Sequence, residues 1–403
     1  MWNANIDTFI KDYITGRRES HFHADMMSYQ SLLDQEIKGK SVLVIGGAGT
    51  IGLSFIKALL PFRPARLYIV DTNENGLTEV TRDLRSTPGQ YIPEEYKTYP
   101  MNFGDEVFRK LFTREGPFHI VANFAAHKHV RSEKDQYAIE AMLDNNVFKT
   151  RQLMELLKRH KPEHFFCVST DKATNPVNVM GASKKLMEEV IMAYSEKFKV
   201  STARFANVAF SNGSLLDGYL YRICKNQPIS CPSDIKRFFV SPEESGQICL
   251  LTCLTGKSGD IMFPKLTEDK MVSFKDITYD YFKKINRPII ECSSEEEARQ
   301  LSRNLQSHEP YPVYFFTSDT SGEKLFEEFT NGHDCIDLTL YQGIGVIKNS
   351  LVRKMHQIDD CISELKAILQ KQDTAKADII SIIKKHIPDF MHIETGLGLD
   401  QKM

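Results

Sequence analysis

The apolar run SVLVI at residues 41–45 leads directly into a turn that is rich in glycine. Gly46, Gly49 and Gly52 give the spacing G-x-x-G-x-x-G, and the overlapping spacing G-x-G-x-x-G begins at Gly47. Glycine is required in such a turn because the backbone takes unusual dihedral angles and a pyrophosphate approaches it closely. The following helix offers free N–H groups to the phosphates. A strand, a glycine turn and a helix in this order predict a dinucleotide site in a parallel α/β fold.

An acidic residue, Asp71, ends the next predicted strand, about 20 residues after the turn, where a carboxylate binds the ribose 2′-hydroxyl of a dinucleotide. No arginine follows among the next ten residues, and the first is Arg82. Because a carboxylate repels a 2′-phosphate, we expect NAD rather than NADP, unless Arg82 folds back toward the site. The remaining cofactor contacts are predicted at the helix start and after the following strands, at Thr50, Ile51, Asn102, Phe103, Ala125 and Ala126.

Short β-rich runs alternate with amphipathic helical stretches from residue 41 onward, which predicts an α/β fold with a Rossmann-type, doubly wound parallel sheet. Further strands are predicted at 66–70, 120–123, 164–168 and 202–205, and helices at 52–60, 138–160 and 182–197. The pattern becomes irregular after residue 205, as expected of a smaller α/β lobe that covers a substrate. We therefore expect a helical N-terminal extension at 1–40, a dinucleotide-binding domain at 41–205, mainly a substrate lobe, interleaved with the core, at 206–345, and a helical C-terminal extension at 346–403.

The sequence does not show what the two extensions do. From Leu351 to Leu369, apolar residues recur at spacings of three and four, which predicts one amphipathic helix. Such a helix serves either assembly with another subunit or packing on its own domain. The N-terminal 40 residues pack either on the core or on a neighbouring subunit.

The composition limits which partners the chain can bind and in which compartment we expect it. Lys and Arg number 51 and Asp and Glu 53, so that no global basic field attracts nucleic acid or an anionic membrane. The eight cysteines include no CxxC pair and no Cys/His cluster with zinc-ligand spacing, which predicts reduced thiols and no metal site. No signal-peptide pattern and no apolar run of membrane-spanning length is present. We expect the chain in the cytoplasm.

A hydroxyl, an acid and an amine follow one another directly after the predicted strand at 164–168, as Thr170, Asp171 and Lys172. A second lysine, Lys184, follows at the start of a predicted helix. Because ligands of open α/β sheets bind beyond the carboxyl ends of the strands, this segment is the candidate catalytic region.

These motifs make the chain resemble the extended short-chain dehydrogenase/reductases and, within them, the bacterial UDP-N-acetylglucosamine 4,6-dehydratases of surface-glycan synthesis. The resemblance covers roughly residues 40–330. Besides the glycine turn, it rests on AAHKHV at 125–130, Asn146-Val147, STDK at 169–172, Asn175-Pro176, Met-x-x-x-Lys at 180–184, RFANV at 204–208, Ser-x-Gly-Ser at 211–214, RFF at 237–239 and GEK at 322–324.

The resemblance implies a redox-neutral reaction on a UDP-sugar: oxidation at C4 by bound NAD, loss of water across C5 and C6, and return of the hydride to C6. It implies that Lys172 is the base at C5, Asp171 the acid at C6, and Thr170 the hydrogen-bond partner of the C4 hydroxyl. Lys184 and Asn146 would contact the cofactor. A base at this position needs a pKa well below about 10, which burial of Lys172 or the charge of Lys184 would provide.

The resemblance also explains an unusual residue. The superfamily pattern is Tyr-x-x-x-Lys, and Met180, which cannot titrate, stands at the tyrosine position. One branch of the dehydratases is similar in carrying Met there, and in that branch the preceding Thr-Asp-Lys moves the protons. Epimerases of the superfamily normally need the tyrosine. A nucleotide-sugar 4-epimerase and a non-catalytic NAD-binding scaffold nevertheless stay open as alternatives.

Five residues are candidate contacts for the sugar and its diphosphate: Lys128, His129, Asn207, Ser214 and Arg237. Two positions depart from the family pattern. Asn212 stands where many relatives have Arg, and the segment 319–324 lacks the Arg of the usual RPGEK. The nucleotide and the sugar substituents therefore stay open. Relatives associate through helices of the dinucleotide domain, so that the resemblance implies a homo-oligomer.

Overall fold

The computed structural model describes residues 6–306, 308–318, 322, 324, 327–348 and 353–394. The strands are β1 Ser41–Ile45, β2 Arg66–Asp71, β3 Glu95–Pro100, β4 Ile120–Asn123, β5 His164–Val168, β6 Val200–Ala203, β7 Asn207–Val208, β8 Ile229–Pro232, β9 Lys236–Arg237, β10 Phe239–Val240, β11 Ile261–Pro264, β12 Val272–Ser273, β13 Ile289–Cys292, β14 Tyr311–Phe316, β15 Cys335–Asp337 and β16 Ile344–Lys348.

The α-helices are α1 Ile6–Phe9, α2 His23–Ser28, α3 Gln30–Ile37, α4 Thr50–Leu59, α5 Glu74–Ser86, α6 Glu106–Glu115, α7 Gln136–Leu143, α8 Lys149–Arg159, α9 Val179–Met192, α10 Leu215–Cys224, α11 Pro242–Thr255, α12 Phe274–Lys284, α13 Glu295–Ser302, α14 Met355–Leu369 and α15 Lys376–His386. Single π-helical turns follow α1 at Ile10–Ile14 and join α7 to α8 at Asp144–Phe148. Short 3₁₀ turns lie at Leu60–Phe62, Val130–Ser132, Asp171–Ala173 and Glu268–Lys270.

One nine-stranded sheet forms the centre of the molecule, in the order β15-β16-β11-β6-β5-β4-β1-β2-β3. The first six strands pair in parallel in the Rossmann order 3-2-1-4-5-6, and β11 adds a seventh parallel strand beside β6. Strands β16 and β15 then add antiparallel. The central strands are buried on both faces, as a sheet covered by helices requires. The predicted doubly wound α/β fold is confirmed.

Element boundaries differ from the sequence prediction where tertiary contacts decide them. The strand predicted at 202–205 begins at Val200, because β6 pairs with β5 from Val200 to Ala203. The chain then leaves the sheet at Arg204, whose side chain is buried in an ion pair. The helix predicted at 138–160 is divided by the π turn that joins α7 and α8.

A second, smaller core lies beside the main one, around the parallel three-stranded sheet β13-β14-β8. The N-terminal segment packs on both bodies. Its first part contributes Phe9, Ile10 and Ile14 to the small core, and its second part contributes Phe22, Leu33 and Ile37 to the main core. The N-terminal segment therefore fastens the lobe to the central sheet.

The C-terminal helices pack on their own chain. Helices α14 and α15 pair with each other, and α14 contacts α9. Two ion pairs fasten them, from Arg151 on α8 to Asp359 at 3.0 Å and from Arg353 to Glu189 on α9 at 2.8 Å. Leu351, where the sequence predicted the helix to begin, lies outside the described residues, and α14 begins at Met355.

All eight cysteines are free thiols, and six of them are buried. Burial raises the pKa of Cys253 and of Cys361 to about 12, so that these thiols are uncharged packing groups. In the part of the chain that the structure describes, no helix is both long enough and apolar enough to cross a lipid bilayer.

The packing of α14 on the main core can be tested at Leu365, which is fully buried there. We expect Leu365→Ala to lower the free energy of unfolding by about 2–5 kcal/mol, because it leaves a cavity. Urea denaturation measures the change. Lys371→Ala, an exposed change just beyond α14, should stay within about 0.5 kcal/mol. Equal effects of the two substitutions would contradict the packing.

Candidate active site

A cleft of about 670 Å³ opens between the carboxyl ends of the central strands and the lobe. Residues of the glycine-turn helix, the catalytic segment and the lobe line it together. The predicted site residues on its wall are Ile51, Ala126, Lys128, His129, Thr170, Lys172, Met180, Lys184, Asn207, Ser214 and Arg237.

The glycine turn has the shape that a dinucleotide needs. Gly46 has a φ of +76°, and a Cβ atom there would lie 2.5 Å from the backbone nitrogen of Ala125. A Cβ atom on Gly52 would lie 2.4 Å from the carbonyl oxygen of Gly46, so that α4 packs tightly against the turn. No side chain caps the N-terminus of α4, and its first N–H groups are available to an anion. The turn therefore fits the phosphates of a dinucleotide.

Asp71 lies beside this turn at the end of β2. Its carboxylate accepts hydrogen bonds from the backbone N–H groups of Ala48, at 3.0 Å, and Asn73, at 2.9 Å. Arg82 pairs with Glu79 at 3.5 Å on the exposed face of α5. The arginine thus has a partner of its own on the following helix, and the carboxylate of Asp71 is fixed at the edge of the glycine turn.

The other predicted cofactor residues differ in what they contact. Asn102 accepts a hydrogen bond from the N–H of Gly104 at 2.8 Å, which shapes the loop after β3, and Phe103 is buried. Asn146 is fully buried and does not line the cleft. It bonds both backbone groups of His127 and the hydroxyl of Ser183. Asn146 therefore holds the loop after β4 against α9.

The three residues of the candidate catalytic segment converge on one atom. Lys172 Nζ lies 3.1 Å from Asp171 Oδ1, and Thr170 Oγ1 donates to the same oxygen at 2.7 Å. Asp171 is 3 % exposed. The turn is closed locally because Thr170 caps it by accepting from the N–H of Lys172. An acid, an amine and a hydroxyl thus form one cluster at the carboxyl end of β5.

The pKa of Lys172 differs from the expectation. Burial lowers the pKa of this amine, but the carboxylates of Asp171 and Glu327 outweigh burial, and the pKa is raised above its ordinary value. Glu327 Oε1 lies 3.6 Å from Nζ. The expectation of a lowered pKa is therefore wrong, because the adjacent carboxylate of Asp171 raises the pKa most and Glu327, which the sequence did not reveal, adds to the rise.

Met180 and Lys184 lie one turn apart on α9. Met180 is 2 % exposed and packs in the main core while its edge lines the cleft. Lys184 Nζ donates to the carbonyl oxygen of Val168 at 2.7 Å, and burial lowers the pKa of this amine. Met180 supplies an apolar wall, and Lys184 supplies a cation under the end of β5.

A buried ion pair that the sequence did not reveal supports the catalytic segment. Arg204 bonds both oxygens of Glu188, at 2.9 and 2.7 Å. Glu188 also accepts from Ser169 Oγ at 2.5 Å, and Arg204 donates to Thr174 Oγ1 at 3.1 Å. Ser169 and Thr174, at the two ends of the catalytic segment (residues 169–174), are thus bonded to the same ion pair. Arg204 belongs to a sequence motif, but no local pattern indicates its partner.

The C-terminal tail is bonded to the same region from the other side. The N–H groups of Met391 and Ile393 donate to the carbonyl oxygens of Pro176 and Val177, at 3.0 and 2.9 Å. The ring of His392 bonds to Glu133. Glu133 also accepts from the N–H of residue 179, the first residue of α9, at 2.5 Å. The tail therefore fixes the loop between the catalytic segment and α9.

The predicted substrate residues lie along the lobe side of the cleft. Ser214 caps α10 by accepting from the N–H of Asp217 at 3.2 Å. Arg237 is buried and donates to the carbonyl oxygens of Lys236 and Lys324, at 2.9 and 2.8 Å. Asn207 begins β7, and the ring of His129 lies against Gly213.

The two departures from the family pattern have different outcomes. The backbone of Asn212 bridges the walls of the cleft, because its N–H donates to Thr50 Oγ1 at 2.9 Å and its carbonyl accepts from Lys128 Nζ at 3.0 Å. Asp319, Thr320, Ser321 and Glu323 of the second departure lie outside the described residues.

The fold and the site together define the class of protein. A Rossmann-ordered parallel sheet, a glycine turn after β1 and a Thr-Asp-Lys segment after β5 are the features of an extended short-chain dehydrogenase/reductase. Residues 42–349 match the family described as polysaccharide biosynthesis protein, and the chain belongs to this family.

Individual relatives are distant. Uncharacterized membrane protein MJ1061 of Methanocaldococcus jannaschii is 34% identical over 60% of this chain and 70% of its own. The probable polysaccharide biosynthesis protein EpsC of Bacillus subtilis is 27% identical over 75% of this chain and 47% of its own, so that this chain spans about half of EpsC. An inverting UDP-N-acetylglucosamine 4,6-dehydratase of Campylobacter jejuni is 25% identical over 58% of this chain and 70% of its own.

A solved structure shares the fold. DesIV of Streptomyces venezuelae, a dTDP-glucose 4,6-dehydratase with NAD and TYD bound, matches with a TM-score of 0.55 at 18% identity, over 72% of this chain and 88% of DesIV. The chain is thus related to nucleotide-sugar dehydratases, and its family is one of polysaccharide biosynthesis.

The buried ion pair under the catalytic segment gives a stability prediction. We expect Glu188→Gln to lower the free energy of unfolding by about 3–5 kcal/mol, because it leaves the charge of Arg204 buried with a weaker partner. Urea denaturation at neutral pH measures the loss. Glu364→Gln, which breaks an exposed pair with Lys385, should cost under about 1 kcal/mol. A loss at Glu188 as small as this would contradict the assigned role.

Proposed function

We propose that the chain is an NAD-dependent nucleotide-sugar 4,6-dehydratase that converts UDP-N-acetylglucosamine to a 4-keto-6-deoxy sugar nucleotide for surface-glycan synthesis. The observation that carries the proposal is the contact at the carboxyl end of β5 between Lys172, which lines the cleft, and Asp171, which is buried beside it. The family and the relative in Campylobacter jejuni support it.

The glycine turn, α4 and Asp71 are the groups that would hold NAD, and Lys184 is placed to contact its nicotinamide ribose. NAD, when bound, would accept hydride from C4 of the sugar and return it to C6. The apolar wall at Met180 excludes water from this part of the cleft. Thr170 also lines the cleft, and we assign to its hydroxyl a hydrogen bond with the C4 hydroxyl of the sugar.

Elimination of water needs an acid and a base at the same time, and the Asp171–Lys172 pair provides both. Transfer of one proton across the 3.1 Å contact, from Nζ to Oδ1, converts the ion pair into a neutral amine and a carboxylic acid without changing its net charge. The amine then takes the C5 proton while the acid protonates the leaving C6 hydroxyl. These two transfers restore the ion pair, so that the elimination needs no proton from bulk solvent.

The cations along the cleft match an anionic substrate. Lys128, His129 and Arg237 line the cleft, and Arg237, whose guanidinium now donates to the carbonyl oxygens of Lys236 and Lys324, would turn its fork to a diphosphate. Asn207 and Ser214 complete the proposed substrate contacts. The eight free thiols support a reducing compartment, and we place the reaction in the cytoplasm. A homo-oligomer stays part of the proposal.

The first test is incubation of the purified chain with UDP-N-acetylglucosamine and NAD in D₂O, followed by mass spectrometry. We expect loss of one water and uptake of one deuterium at C5, because Lys172 returns a solvent-exchanged proton there. An unchanged mass with altered stereochemistry would identify a 4-epimerase. No turnover of any UDP-sugar would favour a scaffold.

The base is tested by Lys172→Ala. We expect this change to lower the rate of water loss by about 10²–10⁴-fold, the usual contribution of a general base, and to leave NAD binding intact. Stopped assays give the rate and fluorescence titration gives NAD affinity. Met180→Leu should cost far less than loss of Lys172 or Asp171, because a methionine transfers no proton. Near-normal activity of Lys172→Ala would refute the assignment.

The choice of NAD is tested by Asp71→Asn, which removes the charge and keeps one of the two acceptor oxygens. We expect the ratio of NADP to NAD affinity to rise about tenfold, because a 2′-phosphate no longer meets a carboxylate. Glu296→Gln removes an exposed charge from α13 of the lobe and should leave this ratio unchanged. An unchanged ratio in Asp71→Asn would show that other groups select the cofactor.

A further inference from the structure

Glu327 is a buried carboxylate that the proposed reaction has not used. It is 6 % exposed. Its Oε1 atom lies 3.6 Å from Lys172 Nζ and 4.0 Å from Arg237 Nη2, and its Oε2 atom lies 4.0 Å from Lys324 Nζ. Within the described part of the chain, Oε2 accepts no hydrogen bond. A carboxylate buried in this way is expected to have a role, because its burial costs free energy.

The position of Glu327 is behind the cleft wall. Lys172 and Arg237 line the cleft, whereas Glu327 is absent from the described lining. Asp171 is absent from this wall as well, and the described contacts of Glu327 with wall residues are those with Lys172 and Arg237. Lys172 lies between two carboxylates, with Asp171 at 3.1 Å and Glu327 at 3.6 Å.

We propose that Glu327 is a positioning residue that acts through Lys172: it competes with Asp171 for the ammonium group and holds the proton on it until Asp171 accepts that proton. The inference rests on the proposed function, and it names the group that sets the pH range in which the acid–base pair operates. Glu327 itself gains no bond to the substrate.

The charges around the cluster support this assignment. Burial is the largest influence on Glu327 and raises its pKa, and the positive charges of Lys172, Arg237 and Lys324 oppose that rise. For Lys172, the two carboxylates raise the pKa while burial and Arg237 lower it. Removal of the Glu327 charge leaves Asp171 as the remaining carboxylate that raises the pKa of Lys172. The proton is then held less tightly by the amine, and the neutral base forms at lower pH.

The first measurement needs no substrate. The rate at which acetic anhydride acylates Lys172, followed by peptide mass spectrometry across pH, reports the pKa of the amine in the full chain. We expect Glu327→Gln to lower this pKa by about 1–3 units, the usual effect of one close opposite charge. The control is Glu328→Gln, which changes the neighbouring exposed carboxylate, 3.3 Å from Asn175 Nδ2. This control should leave the pKa of Lys172 unchanged.

The second measurement is the pH dependence of kcat/KM for water loss. In Glu327→Gln the falling limb at high pH should move to lower pH by as much as the pKa from acylation, because the Asp171–Lys172 pair works only while it holds its one proton. Glu327→Asp keeps a charge farther from Nζ and should give an intermediate shift, which also tests the proposal if the Gln variant folds poorly. An unshifted pKa of Lys172 in both variants overturns the inference.

Each of the two proposals can be refuted without refuting the other. Turnover of UDP-N-acetylglucosamine with an unshifted Lys172 pKa would retain the dehydratase and overturn the role of Glu327. A lowered pKa in a chain that turns over no sugar nucleotide would retain the coupling of Glu327 to Lys172 and overturn the dehydratase.

Discussion

The buried ion pair between Arg204 and Glu188 is the contact on which the rest of the site depends. A guanidinium and a carboxylate without water are stable only when their hydrogen bonds are satisfied, and here Ser169 and Thr174 complete the set. These two residues bracket the catalytic segment. The pair therefore fixes the segment to the end of β6 on one side and to α9 on the other. Without Glu188, Ser169 loses its partner and Arg204 keeps the more distant Asp334, at 3.6 Å; without Arg204, Thr174 loses a donor.

A second constraint is electrostatic. The chain has a net charge of −2, so that its attraction for an anionic substrate comes from a few placed cations rather than from a global field. Two of these cations, Lys172 and Arg237, share the buried carboxylate Glu327. One carboxylate thus connects the group proposed for proton transfer with the group proposed for the diphosphate. In the proposed function, substrate binding and acid–base chemistry would thereby share one carboxylate.

Local patterns in the sequence were sufficient for five strands of the central sheet and for the polar residues of the catalytic segment. The glycine turn and Asp71 were identified because turn dihedrals and strand ends depend on neighbouring residues. Thr170, Asp171 and Lys172 are consecutive, and their resemblance to a known segment needs no tertiary information.

The residues that the sequence did not reveal are those whose partners lie far along the chain. Glu327 reaches Lys172, Glu188 reaches Arg204, and the tail around His392 reaches Glu133. No spacing rule relates such positions, because only the folded chain brings them together. Glu327 is one of the two carboxylates that raise the pKa of Lys172, so that part of this rise also depends on a distant partner.

The tail formed by residues 391–393 has a consequence for how the site comes into being. Its N–H groups complete the hydrogen bonds of Pro176 and Val177, in the loop that joins the catalytic segment to α9. During synthesis, the Rossmann strands and the catalytic segment leave the ribosome long before this tail does. The loop therefore stays without these partners until residue 393 has emerged, and a nascent chain, or one cut before residue 391, has Thr170, Asp171 and Lys172 without this support.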